Sequence, residues 1–478
     1  MVPPSRVAST GSASGGRRGE GDKTYFFRFL IFAVEKDSVE SPACDGVIDV
    51  CAAVVFREGR LLLATRRPGS RGEGRWEFPG GKCESGESFE ETIRRELREE
   101  LAFPVTSAVP VATISRPASE TAPAIRLHFL LCQAPADAEP TPQEGQECRW
   151  HTPVEWDALD LMPTDRRFLE EYREELRGLS LETRLPFDPA SGRLPLWLKS
   201  PFQGGEERRE MRQLLREGGL HTVCEGAKCP NRCQCWKQRT ATFMILGDVC
   251  TRACRFCSVN HGRPTPVDPD EAIKVAKSVQ ELGLKYAVVT CVTRDDLPDG
   301  GASAMADVIR AIRQASPDTL VEVLTSDYHG DFAALDKVLA AAPAVFGHNL
   351  ETVERLSPSV RSVATYRGSL AVLKHASEHA PAGTVVKSGM MLGLGENDED
   401  IRQALRDLRE AGVSLVTLGQ YLQPTPAQLP VARFIPPSEF LQWRRYAEEE
   451  LGFARAVCGP LVRSSYMAGD AYRRMTGR

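Results

Sequence analysis

Three cysteines, Cys250, Cys254 and Cys257, constrain this chain more than any other feature. They stand in Gly247-Asp-Val-Cys-Thr-Arg-Ala-Cys-Arg-Phe-Cys-Ser-Val259, directly after the apolar run Thr242–Leu246, which reads as a buried strand. Three thiolates from one loop suit a cubane iron–sulfur cluster that leaves one iron open to another ligand. A structural zinc site takes four protein ligands, usually in C-x2–4-C pairs, so an odd three fits it less well. Cys224, Cys229, Cys233 and Cys235 lie just upstream, which places seven of the 14 cysteines between residues 224 and 257. Taken alone, that upstream group reads equally as a zinc knuckle with Cys233 as fourth ligand. A disulfide scaffold would be a short chain with a signal peptide, and neither description holds.

The pattern around these cysteines sets the fold class. Strand candidates at Thr242–Leu246, Tyr286–Val292, Leu320–Leu324, Ala344–His348, Val385–Met391 and Leu415–Leu422 alternate with helical patterns at 269–282, 302–315, 331–341 and 398–411. Such alternation predicts a parallel sheet in a complete or partial β/α barrel, with chemistry on the loops after the strands. The first half differs. Strands are expected at Val50–Phe56 and Leu61–Thr65 around an Arg57–Arg60 turn, at Arg126–Cys132 and around Trp150. Helices are expected at Ser88–Leu101, with Phe89, Ile93, Leu97 and Leu101 on one side, and at Asp165–Arg177. Pro186–Leu198 reads as a linker stretch.

A net charge of −5 argues against a nucleic-acid polymer as partner, and no apolar run approaches the ~20 residues that span a bilayer, so a soluble chain without membrane contact is expected. Residues 1–46 are expected to be a disordered extension or a start site set too far upstream, with an organelle transit segment as the alternative reading of the first twenty.

The string Cys224-x4-Cys229-x5-Cys235 followed by Cys250-x3-Cys254-x2-Cys257 resembles the lipoyl synthases, a family of radical S-adenosylmethionine enzymes. The resemblance runs over about residues 193–478, through Val288-Val-Thr-Cys-Val-Thr-Arg-Asp-Asp, Phe346-Gly-His-Asn-Leu-Glu-Thr352, Lys387-Ser-Gly-Met-Met-Leu-Gly-Leu-Gly-Glu396 and Arg463-Ser-Ser-Tyr466. It implies a partial (β/α)6 barrel of TIM type and two [4Fe-4S] clusters. Cys250, Cys254 and Cys257 would hold the one that binds S-adenosylmethionine. Cys224, Cys229, Cys235 and the hydroxyl of Ser465 would hold an auxiliary one that donates sulfur. The substrate implied is an octanoylated lipoyl-carrier protein, a 2-oxoacid dehydrogenase E2 subunit or the glycine cleavage H protein, sulfurated at C6 and C8. A ferredoxin or flavodoxin would supply electrons. Four positions depart from the family pattern: Cys233, Cys291, Gly347 and Gln428.

In the first half, Gly81-x5-Glu87-x7-Arg95-Glu96-Leu-Arg-Glu-Glu100 sets Glu96, Glu99 and Glu100 on one helical face. Like charges so placed repel, and a hard divalent cation relieves them; a salt-bridged surface helix is the plainer alternative. The string resembles the Nudix box of nucleoside-diphosphate-X hydrolases, over about residues 47–178, in an α/β/α sandwich with a mixed sheet. Phe78-Pro-Gly-Gly-Lys82 and Arg66 resemble the mutator/CTP pyrophosphohydrolase subgroup. By that likeness Glu96, Glu99, Glu100 and the Gly80 carbonyl hold Mg²⁺ or Mn²⁺, and Glu144 joins Glu99 and Glu100 in catalysis. Arg66, Phe78 and Asp165 line a base pocket for a nucleoside triphosphate, Asp165 as an ionised acceptor that favours a modified pyrimidine. Ala102 replaces the box's penultimate glycine, at a cost of about 1 kcal/mol if φ there is positive.

The expected organisation is therefore an extension over 1–46, a Nudix hydrolase domain over 47–178, a linker over 179–194 and a lipoyl synthase domain over 195–478, α/β throughout and cytoplasmic. The alternatives are a non-catalytic nucleotide-binding or docking first domain, and a zinc-stabilised interaction protein without chemistry.

Overall fold

The computed structural model describes residues 47–119, 123–184, 187, 192–199, 220–226, 229, 231, 235 and 240–477. The extension over 1–46 and Cys233 lie outside the described residues.

The first unit is a mixed sheet between helices. Strands β1 (Ile48–Arg57), β2 (Arg60–Thr65), β3 (Trp76–Glu77), β4 (Ser107–Arg116) and β5 (Ile125–Gln133) lie in the order β3-β2-β1-β5-β4, and β6 (Cys148–His151) pairs with β2. Only β1 and β5 run parallel. Alternate residues face opposite layers, as strand geometry requires. Cys51, Ala53, Val55, Leu130 and Cys132 pack with α1 (Phe89–Leu101). Phe129 on the other face stacks at 3.7 Å on Phe168 of α2 (Pro163–Glu171). Helix α1 begins on a full capping box, Ser88 with Glu91, and buries Phe89, Ile93, Leu97 and Leu101. Strand β4 was not among the expected elements, its pattern being broken by Pro110, where the register shifts.

Where one helix to Arg177 was expected, the chain breaks at Tyr172 and continues as α3 (Arg173–Arg184), reaching into the stretch read as linker. The reason is a second packing partner. Glu182, 5% exposed, accepts from the Ser438 N–H at 3.0 Å and from its hydroxyl at 2.8 Å. Arg444, 1% exposed, reaches Glu175 at 2.6 Å and Glu171 at 3.4 Å and lies 3.8 Å from the Tyr172 ring centre. Burial alone would lower the Arg444 pKa, but the carboxylates around it outweigh burial and keep it charged.

Ser438 and Arg444 belong to α9 (Pro437–Arg445) of the second unit. There β8 (Thr240–Ile245), β11 (Tyr286–Cys291), β12 (Leu320–Leu324), β13 (Val345–Gly347), β14 (Val385–Leu392), β15 (Leu415–Gln420) and β16 (Arg455–Gly459) are each parallel to the next, and β7 (His221–Thr222) adds antiparallel to β8. Between them run α4 (Glu271–Glu281), α5 (Ala302–Ala315), α6 (Phe332–Ala340), α7 (Tyr366–His379) and α8 (Asp398–Glu410). Among the described residues β7 and β16 remain edges, so the barrel is partial, with β16 one parallel strand more than expected. Tyr286, Val345, Val385 and Leu415, the first residues of four strands, meet Ala468, Ala471 and Tyr472 of α10 (Ala468–Thr476) in one cluster. The chain's last helix thus closes the N-terminal end of the barrel and leaves the strand C-termini for the cysteines.

Candidate functional site

The cysteine loop is closed at its neck. A two-residue strand, β9 (Val249–Cys250), pairs parallel with β10 (Asn260–His261), and the Gly262 N–H donates to the Cys250 carbonyl at 2.9 Å. Inside the loop the Arg252 N–H donates to the Cys250 sulfur at 3.4 Å and the Val259 N–H to the Cys257 sulfur at 3.5 Å, bonds that favour thiolates. Burial nevertheless pushes the Cys257 thiol up to about 11, with Cys254, Glu351 and Cys250 adding to it.

Arg252 fastens this loop to the barrel. Its guanidinium, 4% exposed, meets Asp295 at 2.8 Å beyond β11 and Asp327 at 2.8 Å beyond β12. Gln428 donates to the Cys257 carbonyl at 3.1 Å, and the Leu429 N–H to the Arg255 carbonyl at 3.0 Å. Sequence reasoning missed Arg252, Asp295 and Asp327, although Asp295 stood in the quoted Thr-Arg-Asp-Asp string. It also missed Glu351, whose φ of 70° is unusual for a residue with a side chain. His348, in the neighbouring quoted string, is structural: both ring nitrogens are bonded, to the Thr325 carbonyl and the Ser369 hydroxyl, and burial lowers its pKa to about 4.

The second thiol group lines a small hollow together with Ser465, Arg463, Tyr466, Asn231 and Thr242. Cys224, Cys229 and Cys235 come from the turn after β7, and Ser465 comes from the other end of the domain, so 241 residues (465 minus 224) separate two lining side chains. Local bonds set the thiol spacing: the Cys229 N–H donates to Cys224 at 3.2 Å and the Cys235 N–H to Asn231 at 3.0 Å. Burial, with Cys229 and Cys224 adding, pushes the Cys235 thiol up to about 12. Metal binding would have to displace that proton. Three sulfurs and a hydroxyl around a hollow fit a cubane cluster.

In the first unit the carboxylates are held by arginines. Arg95 contacts Glu87 at 2.7 Å, Glu96 at 2.9 Å and Glu99 at 3.3 Å, and Arg67 contacts Glu144 at 2.7 Å. Glu99 keeps 62% of its side chain exposed, whereas Glu96 is 14% exposed and folds against Gly81, where a Cβ would lie 2.2 Å from the Glu96 carboxyl carbon. Only glycine lets that carboxylate sit there. Burial pushes Glu100 up to about 7, with the charges of Glu96, Glu77 and Glu144 adding and Arg67 opposing. Glu77, which also bonds Arg66 at 2.6 Å, is the carboxylate that sequence reasoning missed; its signal lay in the residue just before Phe78-Pro-Gly-Gly.

Two base-pocket expectations change. Phe78 is 3% exposed, its ring edge-on to Phe129 and Phe168, so it contributes packing and a backbone N–H, donated to Asp165 at 2.9 Å. Burial pushes Asp165 up to about 7, so near neutrality it is partly protonated and can donate as well as accept. The one-way acceptor argument for a pyrimidine therefore does not stand. Arg66 is in place near this carboxyl, and its Nε is buried without a partner. Ala102 has φ 47°, the left-handed conformation that glycine would adopt freely.

Comparisons with known proteins divide the chain at the same place. Residues 47–172 match the NUDIX domain family model, and residues 244–408 match the Radical SAM superfamily model. The lipoyl synthase of Thermus thermophilus is 50% identical over 293 residues, 61% of this chain and 90% of the relative. That of Rubrobacter xylanophilus is 52% identical over 288 residues, 60% and 89% respectively. Among solved structures, the solution structure of the E. coli ORF135 protein shares 33% identity, covering 31% of this chain and all of that one, at a TM-score of 0.24. No helix among the described residues is long and apolar enough to cross a membrane. A barrel with its cysteine loop after the first long strand, and relatives matched over nine-tenths of their length, lead to one conclusion: this chain belongs to the lipoyl synthase family, and it carries a NUDIX domain ahead of the synthase.

Proposed function

We propose that the chain inserts two sulfur atoms, at C6 and C8 of a protein-bound octanoyl group, and that its NUDIX domain hydrolyses a modified nucleoside triphosphate to monophosphate and pyrophosphate. The observation that carries the first half is the hollow where Cys224, Cys229, Cys235 and Ser465 meet. Two [4Fe-4S] clusters and S-adenosylmethionine would supply radical hydrogen abstraction and sulfur, chemistry that acid–base side chains cannot perform on unactivated C–H bonds. Cys250, Cys254 and Cys257 bind the first cluster, with Arg252 holding their loop to Asp295 and Asp327. Cys224, Cys229, Cys235 and Ser465 bind the second. The substrates are an octanoylated E2 subunit or H protein and electrons from a ferredoxin or flavodoxin.

In the NUDIX domain Glu96, Glu99, Glu100 and the Gly80 carbonyl take Mg²⁺ or Mn²⁺, Glu144 adds a loop carboxylate, and Arg95 and Arg67 give way when the cation arrives. Arg95 between Glu96 and Glu99, and Glu96 seated against Gly81, support this reading. Arg66 and Asp165 meet the base, in the cytoplasm. The domains run over about 47–184 and 195–478. The test is direct: anaerobically purified chain should hold about eight irons, two four-iron clusters, and lipoylate an octanoylated carrier. It should also release pyrophosphate from a panel of triphosphates, and an absence of release from every one would leave only a nucleotide-binding module.

A further inference from the structure

Between β16 and α10 the chain runs through turns from Pro460 to Met467, the stretch that carries Ser465. It is fastened at three points. The Asn231 side chain, set between Cys229 and Cys235, donates to the Leu461 carbonyl. Val462 lies against Gly419, where a Cβ would be 2.1 Å from the Val462 carbonyl oxygen. The third point is Lys387 of β14, which donates to the Ser464 carbonyl at 2.5 Å.

Lys387 is 4% exposed and pairs at 2.7 Å with Glu322 of β12, itself 3% exposed. The other Glu322 oxygen accepts from the Tyr286 hydroxyl at 2.5 Å. Three strands of the barrel are thus linked through one buried carboxylate. Taking such a pair out of water costs several kcal/mol per ion, and an apolar pair of like volume is often as stable or more so. Stability alone therefore gives no account of it. Its geometry does: among the described residues, the hydrogen bond that the ammonium makes besides the one to Glu322 goes to the residue next to Ser465.

We propose that Lys387 is a positioning residue for the auxiliary cluster. Through the Ser464 carbonyl it fixes the turn that presents the Ser465 hydroxyl to the hollow, and Glu322 holds the ammonium in place. This rests on the reading of Ser465 as fourth ligand. A hydroxyl binds iron weakly beside a thiolate, so a small loss of placement should release the iron it holds.

The test compares wild type, Lys387→Met, and Lys387→Met with Glu322→Gln, which leaves no unpaired buried carboxylate and keeps an acceptor for Tyr286. Iron is counted and the oxidised proteins are read by low-temperature EPR. Both variants should drop from about eight irons to about seven and gain the signal of a three-iron cluster. Adding Ser465→Cys to Lys387→Met should bring the count back to about eight, because a thiolate holds iron with less exact placement. Variants that keep about eight irons with no three-iron signal overturn the proposal. Loss of both clusters in both variants also overturns it, since the pair would then hold the barrel and not the ligand. Wild type with only about four irons overturns the two-cluster reading beneath it.

Discussion

The carboxylate face of the NUDIX domain and the thiol hollow of the barrel solve one problem, keeping charged ligands apart until a metal arrives, in opposite ways. On α1 the ligands carry their own stand-ins: Arg95 holds Glu96 and Glu99, and Arg67 holds Glu144. Under the proposed reading a cation would replace an arginine there, with Glu99 and Arg67 open to solvent. In the hollow burial pushes the Cys235 thiol up to about 12 instead, and the thiols are placed by backbone bonds and by distant side chains. The difference teaches that exposed carboxylates are held by arginine side chains, whereas buried thiols are held by backbone bonds.

The comparison breaks most visibly at the cysteines. Cys254→Ala should abolish cleavage of S-adenosylmethionine, read as 5′-deoxyadenosine by chromatography, whereas Cys229→Ala should cleave it and yet form no lipoyl group. Equal residual cleavage in wild type and Cys254→Ala would remove the assignment of that loop. Glu100→Gln should lower pyrophosphate release by roughly a hundredfold or more at saturating Mg²⁺, with sulfur insertion untouched; full hydrolysis in this variant would show that the carboxylate face is not the metal site.

A smaller effect concerns the contact between the domains. Burial pushes Glu182 up to about 7 from an ordinary 4.5. The folded state binds that proton more tightly, so its contribution is fully present below about pH 4.5 and is lost as pH rises through about 7, a change on the order of 3 kcal/mol. The melting midpoint of wild type should therefore fall more than that of Glu182→Gln between pH 5 and pH 8; parallel falls would speak against it. Smallest of all, Ala102→Gly should stabilise the chain by about 1 kcal/mol in a denaturant titration, because φ is 47° there. No gain would mean that the C-cap strain is already relieved.

What could be read beforehand follows from how far apart the determinants lie. The carboxylate face is one helix, and the 3.6-residue period alone put Glu96, Glu99 and Glu100 together. The loop of Cys250, Cys254 and Cys257 is equally local. Ser465 and the upstream thiols are joined only by the barrel, so their meeting was legible through family likeness and not through spacing. Glu77, Arg252, Asp295 and Lys387 escaped because single charged residues in strands and loops give no periodic signal; only the partner they face makes them informative. Strand β16, short and beginning at Arg455, escaped for the same reason, and α3 ran past its expected end because its second partner lies more than 250 residues away: Ser438 minus Glu182 is 256.

Arg444 sets terms for the inheritance of this gene. Two of the carboxylates it meets, Glu171 and Glu175, and the ring it lies over belong to the NUDIX domain, while only Glu448 comes from its own side. A chain shortened to begin at residue 195 would uncover that guanidinium and strip it of most of its partners. The fused halves are therefore no longer interchangeable cassettes: a NUDIX domain borrowed from another protein would fit here only if its last two helices brought the same acids to the same turn.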